Sequence, residues 1–281
     1  MSFQNNIFYK KVRDYSISKE IFELHHNPEY DLLITFPKPS PEKLPSYYES
    51  EDYISHTDGK RSLFERVYHL IKNIALKNKV KLINAQSKKG KLLDIGAGTG
   101  DFLVAAKIAG WETIGIEPSS KAKKIAINKG VSFANNLSDL KNDSFDVITM
   151  WHVLEHVANL DEYIFELKRL IKPTGTILIA VPNYKSFDAN YYGKFWAAFD
   201  VPRHIWHFSK TAIQKLFAEK DMKLVEVLPM KFDSFYVSLL SEKYKNGKMN
   251  FLNAFFVGLK SNQNAKRTKE YSSHIYVIKN Q

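Results

Sequence analysis

Three groups of residues have types and spacings that suit chemistry. The first is KLLDIGAGTGDF at 91–102, where an apolar run stops at Asp94 and Ile95 and turns into glycines at 96, 98 and 100. Leu92, Leu93 and Ile95 read as a short buried strand. The glycines allow a tight turn and close approach of a ligand, and the apolar run from Phe102 to Ala109, closed by Gly110, reads as the following helix. A strand, glycine loop and helix in that order form a nucleotide cradle. The second group is Glu117, the acid that ends the next strand, ETIGIE. The third is His152, Glu155 and His156, which spell H-x-x-E-H, the motif of one class of zinc peptidases. On a helix, His152 and His156 would share a face as two zinc ligands should.

Two ligand classes compete for the glycine loop. A dinucleotide site asks for G-x-G-x-x-G with the helix N-terminus facing a pyrophosphate. Here the third position of that pattern is Asp101, whose charge opposes a pyrophosphate. S-adenosylmethionine has no phosphate. It offers an ammonium that an acid can hold and two ribose hydroxyls that a carboxylate can accept. Glu117 stands where the ribose would lie, and Asp94 either fixes the loop or receives the ammonium through water. The spacing favours S-adenosylmethionine over NAD.

The elements that must position these groups alternate. Strand 92–95 leads to helix 101–109, and strand 112–117 leads to helix 120–129, capped by Ser119 and stopped by Gly130. A short third strand is expected at 131–134. Strand 145–150 precedes a helix at 160–171 with Asn159 and Glu162 as a capping pair; Pro173 and Gly175 then turn the chain into strand 176–181. After an aromatic insertion at 183–208, Ser209 caps a helix to about 220, followed by strand 223–228, a second insertion at 229–270 and a last strand at 273–279. Such alternation means a largely parallel sheet covered on both faces, with ligands at the carboxyl ends of its strands. Residues 1–58, with PKPSPEKLP and YYESEDY, show little periodicity and read as an extended N-terminal arm on a domain spanning 59–281. Tyr47, Tyr48 and Tyr53 either anchor that arm or cover a ligand.

The chain of 281 residues can bury a full core, and its 44% hydrophobic and 25% charged composition is that of a soluble globular protein. No apolar run approaches the roughly 20 residues of a membrane span, and MSFQNNIFYKKVRDYS lacks a signal-peptide core, so a cytoplasmic protein is expected. The absence of cysteine excludes disulfides, thiolate metal sites and a cysteine nucleophile; a metal would have to use His and carboxylates. The formal charge of +11 raises the question of a nucleic-acid or acidic-lipid partner. Ten basic residues fall between Lys60 and Lys91 against the single Glu65, yet their spacing with Leu63, Phe64, Val67, Tyr68, Ile71 and Ile74 describes an amphipathic helix with a solvated basic back. No arginine-rich or aromatic-interleaved RNA module is visible.

LLDIGAGTG, the acid of GIEPS, FDVITMWHVLEHV and the VPN after the fifth strand together resemble the class I S-adenosylmethionine-dependent methyltransferases, in the broad group that includes ubiquinone-biosynthesis O-methyltransferases. The resemblance covers about residues 60–230 and the last strand. It implies a three-layer Rossmann-like α/β sandwich with a mostly parallel seven-stranded sheet and an antiparallel last strand. It also implies that Gly96, Gly98 and Gly100 line the methionyl part of the cofactor and that Glu117 holds the ribose, with Pro118 against the adenine. Asn136 and Leu137 would flank the adenine edge, and Trp151 and His152 would sit beneath the sulfonium. Trp151 reads equally as a core aromatic. In the resembling proteins the H-x-x-E-H stretch is the cofactor-facing turn after strand four, which weighs against a peptidase; no metal is expected.

Two further likenesses bear on the arm and the acceptor. FELHHNPEYDLLITFPKP has the frame of an N-terminal zinc ribbon found in bacterial relatives, with Asn27 and Tyr30 where cysteines would stand. That predicts a degenerate knuckle held by apolar packing rather than metal; a chance match of a short motif explains the frame as well. W-x-x-x-D-x-P-R-H followed by F-S recurs in similar bacterial methyltransferases, and here supplies Trp196, Asp200, Pro202, Arg203, His204, Phe208 and Ser209. His204 is the candidate general base, because imidazole titrates near neutrality. Tyr191, Tyr192, Trp196 and Arg203 are the candidate acceptor contacts, unless Asp200, Arg203 and His204 form a structural polar cluster and the aromatics are the loop's own core. The expected function is methyl transfer to oxygen or nitrogen of a small-molecule acceptor. RNA or protein methylation is the alternative, and an NAD-dependent oxidoreductase, a zinc peptidase or a non-catalytic binding module is less favoured.

Overall fold

The computed structural model describes residues 3–40, 42–48 and 63–281, with only the backbone described for 63–71. Tyr53, Lys60, Arg61 and the side chains of Leu63, Phe64, Val67, Tyr68 and Ile71, which entered the sequence reading, lie outside the described residues.

The N-terminal stretch is not an extended arm. It forms three antiparallel strands, β1 (Ile7–Arg13), β2 (Ile21–Asn27) and β3 (Leu32–Phe36). Phe22 and Leu24 of β2 are buried, and β3 is buried along most of its length, which is why its apolar run shows no alternation. The turn between β2 and β3 is closed by Asn27, whose side chain accepts from Tyr30 N (3.0 Å) and donates to Gln4 O and Asn6 Oδ1 (both 2.9 Å). Hydrogen bonds of a buried amide thus tie the two positions where a zinc ribbon would carry cysteines.

Helix α1 (Leu63–Gln86) leads into the main sheet. There β4 (Lys91–Ile95), α2 (Asp101–Ile108), β5 (Glu112–Ile116), α3 (Ser120–Asn128), β6 (Phe145–Trp151), α4 (Leu160–Leu170) and β7 (Ile171–Pro182) follow one another as the alternation requires. A short helix α5 (Phe187–Tyr192) and a two-residue strand β8 (Trp206–His207) lie in the first insertion. They are followed by α6 (Lys210–Ala218), β9 (Met222–Pro229), the helical pair α7 (Asp233–Asn246) and α8 (Phe251–Thr268), and β10 (Ser273–Asn280). The sheet order is β5-β4-β6-β7-β10-β9, with β10 antiparallel to both neighbours. Among the described residues it has six strands rather than seven; the expected strand at 131–134 is reduced to a single parallel bridge between Gly115 and Phe133.

Alternation along the strands feeds two cores. Leu93, Ile95, Ile148, Met150, Ile177 and Ile179 face α4 and α6, whereas Leu92, Val147 and Leu178 face α1 and α2. The caps foreseen from sequence are formed: Ser119 accepts from Ala122 N, Asn159 from Glu162 N and Ser209 from Ala212 N. β8 joins β3 edge to edge, pairing Leu33 with His207 and Ile34 with Trp206. The N-terminal sheet is thereby fastened to the first insertion, and a third core gathers Phe22, Leu24, Leu33 and Tyr47 with Tyr192, Trp196 and Phe199.

Candidate active site

The glycine loop leaves β4 with φ of +74° at Gly96, +54° at Gly98 and +78° at Gly100. The three glycines serve different ends. A Cβ on Gly96 would lie 2.3 Å from Val153 Cγ2, and one on Gly100 would lie 2.8 Å from Ala126 Cβ and 2.9 Å from Val131 Cγ2, so these two are required by packing. A Cβ on Gly98 would meet nothing within 4 Å. Gly98 therefore borders open space at the carboxyl end of the sheet. Glu117 is locked beside it, its two oxygens accepting from Gly98 N (2.7 Å) and Ser119 N (2.8 Å). Both oxygens retain a lone pair for a ligand hydroxyl.

Asp101 changes one step of the sequence argument. Its carboxylate is paired with Lys72 and Lys129, each at 2.6 Å, which hold its pKa down against burial. Its charge is thus largely neutralised and opposes a pyrophosphate less than its type suggested. Glu117, by contrast, has no cation among its hydrogen-bond partners in the described residues.

Asp94 is buried beneath the loop and accepts a 2.6 Å hydrogen bond from Thr149 Oγ1. Burial pushes its pKa up to about 7, against the opposing effects of that hydrogen bond and of Lys79. Lys79, from α1, lies with Nζ 4.3 Å from the Trp151 ring centroid and 5.8 Å from that of Phe102. Burial lowers its pKa, while Asp94 and Asp233 oppose that shift. Lys79 was hidden among the ten basic residues between Lys60 and Lys91, read as the solvated back of a helix. The available signal was its position among Leu76, Val80 and Ile83, on the helix's apolar side. Trp151 meets Phe102 edge to face at 5.6 Å, and its buried Nε1 has no hydrogen-bond partner among the described residues. It is both a core aromatic and a wall of the Lys79 site.

The H-x-x-E-H stretch is not helical in the way a peptidase needs. β6 runs to Trp151, His152 takes φ +58°, and residues 154–156 make a single 3₁₀ turn. His152 lies between two carboxylates, Nε2 at 3.1 Å from Asp233 and Nδ1 at 3.3 Å from Glu155. Burial works against its charge, but the hydrogen bonds to Asp233 and Glu155 prevail and raise its pKa to about 10. It is an imidazolium at neutral pH and ties β6 to the start of α7. His156 turns the other way, toward His204, with ring centroids 4.6 Å apart.

The remaining sequence candidates divide. Pro118 and Asn136 are exposed, and Leu137 is partly buried, its carbonyl held by Arg169 Nη2 at 3.0 Å. Tyr191 is exposed, but Tyr192 and Trp196 are buried in the core shared with the N-terminal strands, Trp196 Nε1 donating to Asp188 at 2.8 Å. Arg203 is also buried. It pairs with Asp14 (2.9 Å) and Asp200 (2.6 Å) and donates to Tyr47 O and Ser16 Oγ. Tyr192, Trp196 and Arg203 are therefore fastenings between the first insertion and the N-terminal sheet rather than acceptor contacts. His204 Nδ1 faces Ala198 O at 2.9 Å, leaving Nε2 as the group with chemical freedom.

A largely parallel Rossmann-like sheet with an antiparallel terminal strand, carrying a glycine cradle and an acid at the next strand's end, is the architecture of S-adenosylmethionine-dependent methyltransferases. Comparison with known proteins agrees: the methyltransferase-domain family matches residues 63–227. The chain belongs to that family, among the class I S-adenosylmethionine-dependent methyltransferases. It is 31% identical over 128 residues to a ubiquinone biosynthesis O-methyltransferase of Pelagibacter ubique, covering 42% of this chain and 52% of that one. With a protein of the same description from Rickettsia typhi it is 26% identical over 205 residues, covering 64% and 80%. The chain thus spans about half the length of the first relative and four fifths of the second. Among solved structures, magnesium protoporphyrin IX methyltransferase from Synechocystis, with S-adenosylhomocysteine bound, superposes with a TM-score of 0.55 at 15% identity over 84% of this chain and 97% of that one. A methyltransferase from Thermotoga maritima gives 0.51 at 19% identity, over 78% and 95%. At these identities the structures speak for the fold. Among the described residues, no helix is long and apolar enough to cross a membrane.

Proposed function

We propose that this protein transfers a methyl group from S-adenosylmethionine to an oxygen or nitrogen of a small-molecule acceptor, in the cytoplasm. The observation that carries the reading is the open space over Gly98 beside the fixed carboxylate of Glu117. Glu117 accepts the two ribose hydroxyls. At the other end of the cradle, Asp94 receives the cofactor's ammonium and Lys79 its carboxylate, a matched pair of opposite charges on a zwitterion. When bound, the cofactor supplies an electrophilic methyl group on its sulfonium. The chain's own task is to align the acceptor in line with that bond and to remove its proton. Proton removal falls to the group formed by Glu155, His156 and His204, with His204 Nε2 as the base. The basic surface is not read as a nucleic-acid site, since several of its lysines, among them Lys72, Lys129 and Lys172, are committed to carboxylates.

Asp94 gives this reading a pH signature. With a folded pKa raised to about 7, the group favours the fold most fully below about pH 4, and that contribution is lost as pH rises through about 7. Cofactor binding needs the ionised form. Affinity for S-adenosylmethionine should therefore rise about tenfold between pH 6 and pH 8, following the ionised fraction. Asp94→Asn should bind more weakly and lose that dependence; calorimetry across the range measures both. The activity itself is tested by incubating the protein with S-adenosylmethionine and panels of phenols, catechols and amines while S-adenosylhomocysteine release is followed. Acceptor-dependent release supports the proposal. Release that occurs only with RNA or protein acceptors contradicts it.

A further inference from the structure

Glu155, His156 and His204 offer three ligand atoms within 4.8 Å of one another. The hydrogen bonds around them fix what those atoms are. His156 Nδ1 stands 3.0 Å from Arg203 O, and His204 Nδ1 stands 2.9 Å from Ala198 O. A carbonyl oxygen only accepts, so each ring carries a proton on Nδ1, which in His156 also lies 3.1 Å from the Tyr48 hydroxyl, and Nε2 is the nitrogen each ring can offer to an ion. Glu155 is 1% exposed, and neither of its oxygens has a hydrogen-bond partner among the described residues, although His152 lies beside one of them as a charge partner. Asp200 Oδ2 adds negative potential 3.9 Å from His204 Nε2.

Three potential ligands thus converge in a buried place, with His152 Nδ1 3.3 Å from Glu155 Oε1 as the neighbouring charge partner. Burial of a carboxylate whose oxygens have no well-formed hydrogen bond among the described residues is costly unless a cation or a donor completes it. Two imidazole nitrogens and one carboxylate form the donor set of open-coordinated Zn²⁺ and similar divalent transition ions. Backbone carbonyls on the opposite ring nitrogens are the outer partners that orient such ligands.

We propose that Glu155, His156 and His204 form a binding site for one divalent transition-metal ion, with Zn²⁺ as the first probe. This ligand set replaces the His152, Glu155 and His156 grouping suggested by the sequence motif, since His152 turns its Nε2 to Asp233 at 3.1 Å, and it runs against the expectation of no metal. The three residues come from the turn after β6 and from the loop before β8, so an ion would also bridge the methyltransferase sheet and the first insertion. Three protein ligands would leave a fourth tetrahedral position for an acceptor oxygen. With an ion bound, His204 Nε2 is a ligand and not a base, and lowering the pKa of an acceptor hydroxyl falls to the ion; that use rests on the proposed methyl transfer, whereas the binding itself does not.

The test is metal uptake by the full chain. After dialysis against chelator, the protein is titrated with Zn²⁺ by calorimetry, and bound metal is counted by mass spectrometry after gel filtration. About one ion per chain is expected, with affinity falling at least about tenfold in His204→Gln and Glu155→Gln. Binding of S-adenosylhomocysteine by the same variants shows that they are folded, and separates failure of this site from failure of the cofactor site. Zinc X-ray absorption of the wild-type protein should show two imidazole neighbours, a readout independent of any variant. No tight uptake, an absorption spectrum without imidazole, or uptake unchanged in both variants would overturn the proposal.

Discussion

Replacing Glu117 with Ala should weaken binding of S-adenosylhomocysteine about 30- to 100-fold while leaving the protein folded. Two effects add. The ribose hydroxyls lose a charged acceptor, a loss of about 2–3 kcal/mol for a pair of charge-assisted hydrogen bonds. In addition, Gly98 N and Ser119 N lose the carboxylate that clamps the glycine loop to the start of α3. Glu117→Gln keeps an acceptor and should recover part of the affinity. Isothermal titration of wild type and both variants measures the series, and circular dichroism confirms the fold. Equal affinity in all three would show that the ribose does not lie at the end of β5.

The second large effect is expected far from the cradle. Arg203→Met should destabilise the protein by about 3–5 kcal/mol, because it leaves the buried Asp14 and the adjoining Asp200 without their cation. Burial alone would raise the pKa of both acids; the hydrogen bonds and charge of Arg203 outweigh it and hold both below the ordinary carboxylate range. A depressed carboxylate contributes stability that is present above its unfolded pKa of about 4 and lost as pH falls through the folded value. The gap between wild type and Arg203→Met should thus be widest near pH 7, on the order of 10 °C in Tm, and should narrow below pH 4. Thermal melts at the two pH values test this. A gap that is small and independent of pH would show that the Asp14–Arg203–Asp200 contacts do not hold the N-terminal sheet to the insertion.

The contrast between these two residues shows what the sequence made legible. The cradle was readable because each of its determinants is local: an apolar strand, glycines at alternate positions, an acid one strand later. The caps at Ser119, Asn159 and Ser209 were legible for the same reason. Arg203 was legible only in part: a structural cluster with Asp200 was among its readings and is formed, but its other partner, Asp14, lies 189 positions away. The N-terminal strands were missed on similar grounds: β3 is buried on both faces and finds its edge partner in β8, so neither alternation nor a local turn announces the pairing. Lys79 was obscured by its company, since a cation on the apolar side of a basic helix looks like one more solvated lysine. The H-x-x-E-H motif suggested zinc only on the assumption of a helix, and the chain instead makes the turn after strand four that the resemblance implied. At the end of a buried strand, with His152 at positive φ, the same residues point in different directions. Glu155 and His156 lie in one cluster with His204, which comes from another segment.

The central claim is that the space over Gly98 and beside Glu117 holds a sulfonium cofactor rather than a dinucleotide. Isothermal titration of the wild-type protein with S-adenosylhomocysteine and, separately, with NAD tests it most directly. The account predicts saturable binding of S-adenosylhomocysteine at about one per chain, abolished by Gly98→Leu, whose side chain would occupy the cradle, and no binding of NAD. Saturable NAD binding in the absence of any response to S-adenosylhomocysteine would contradict it.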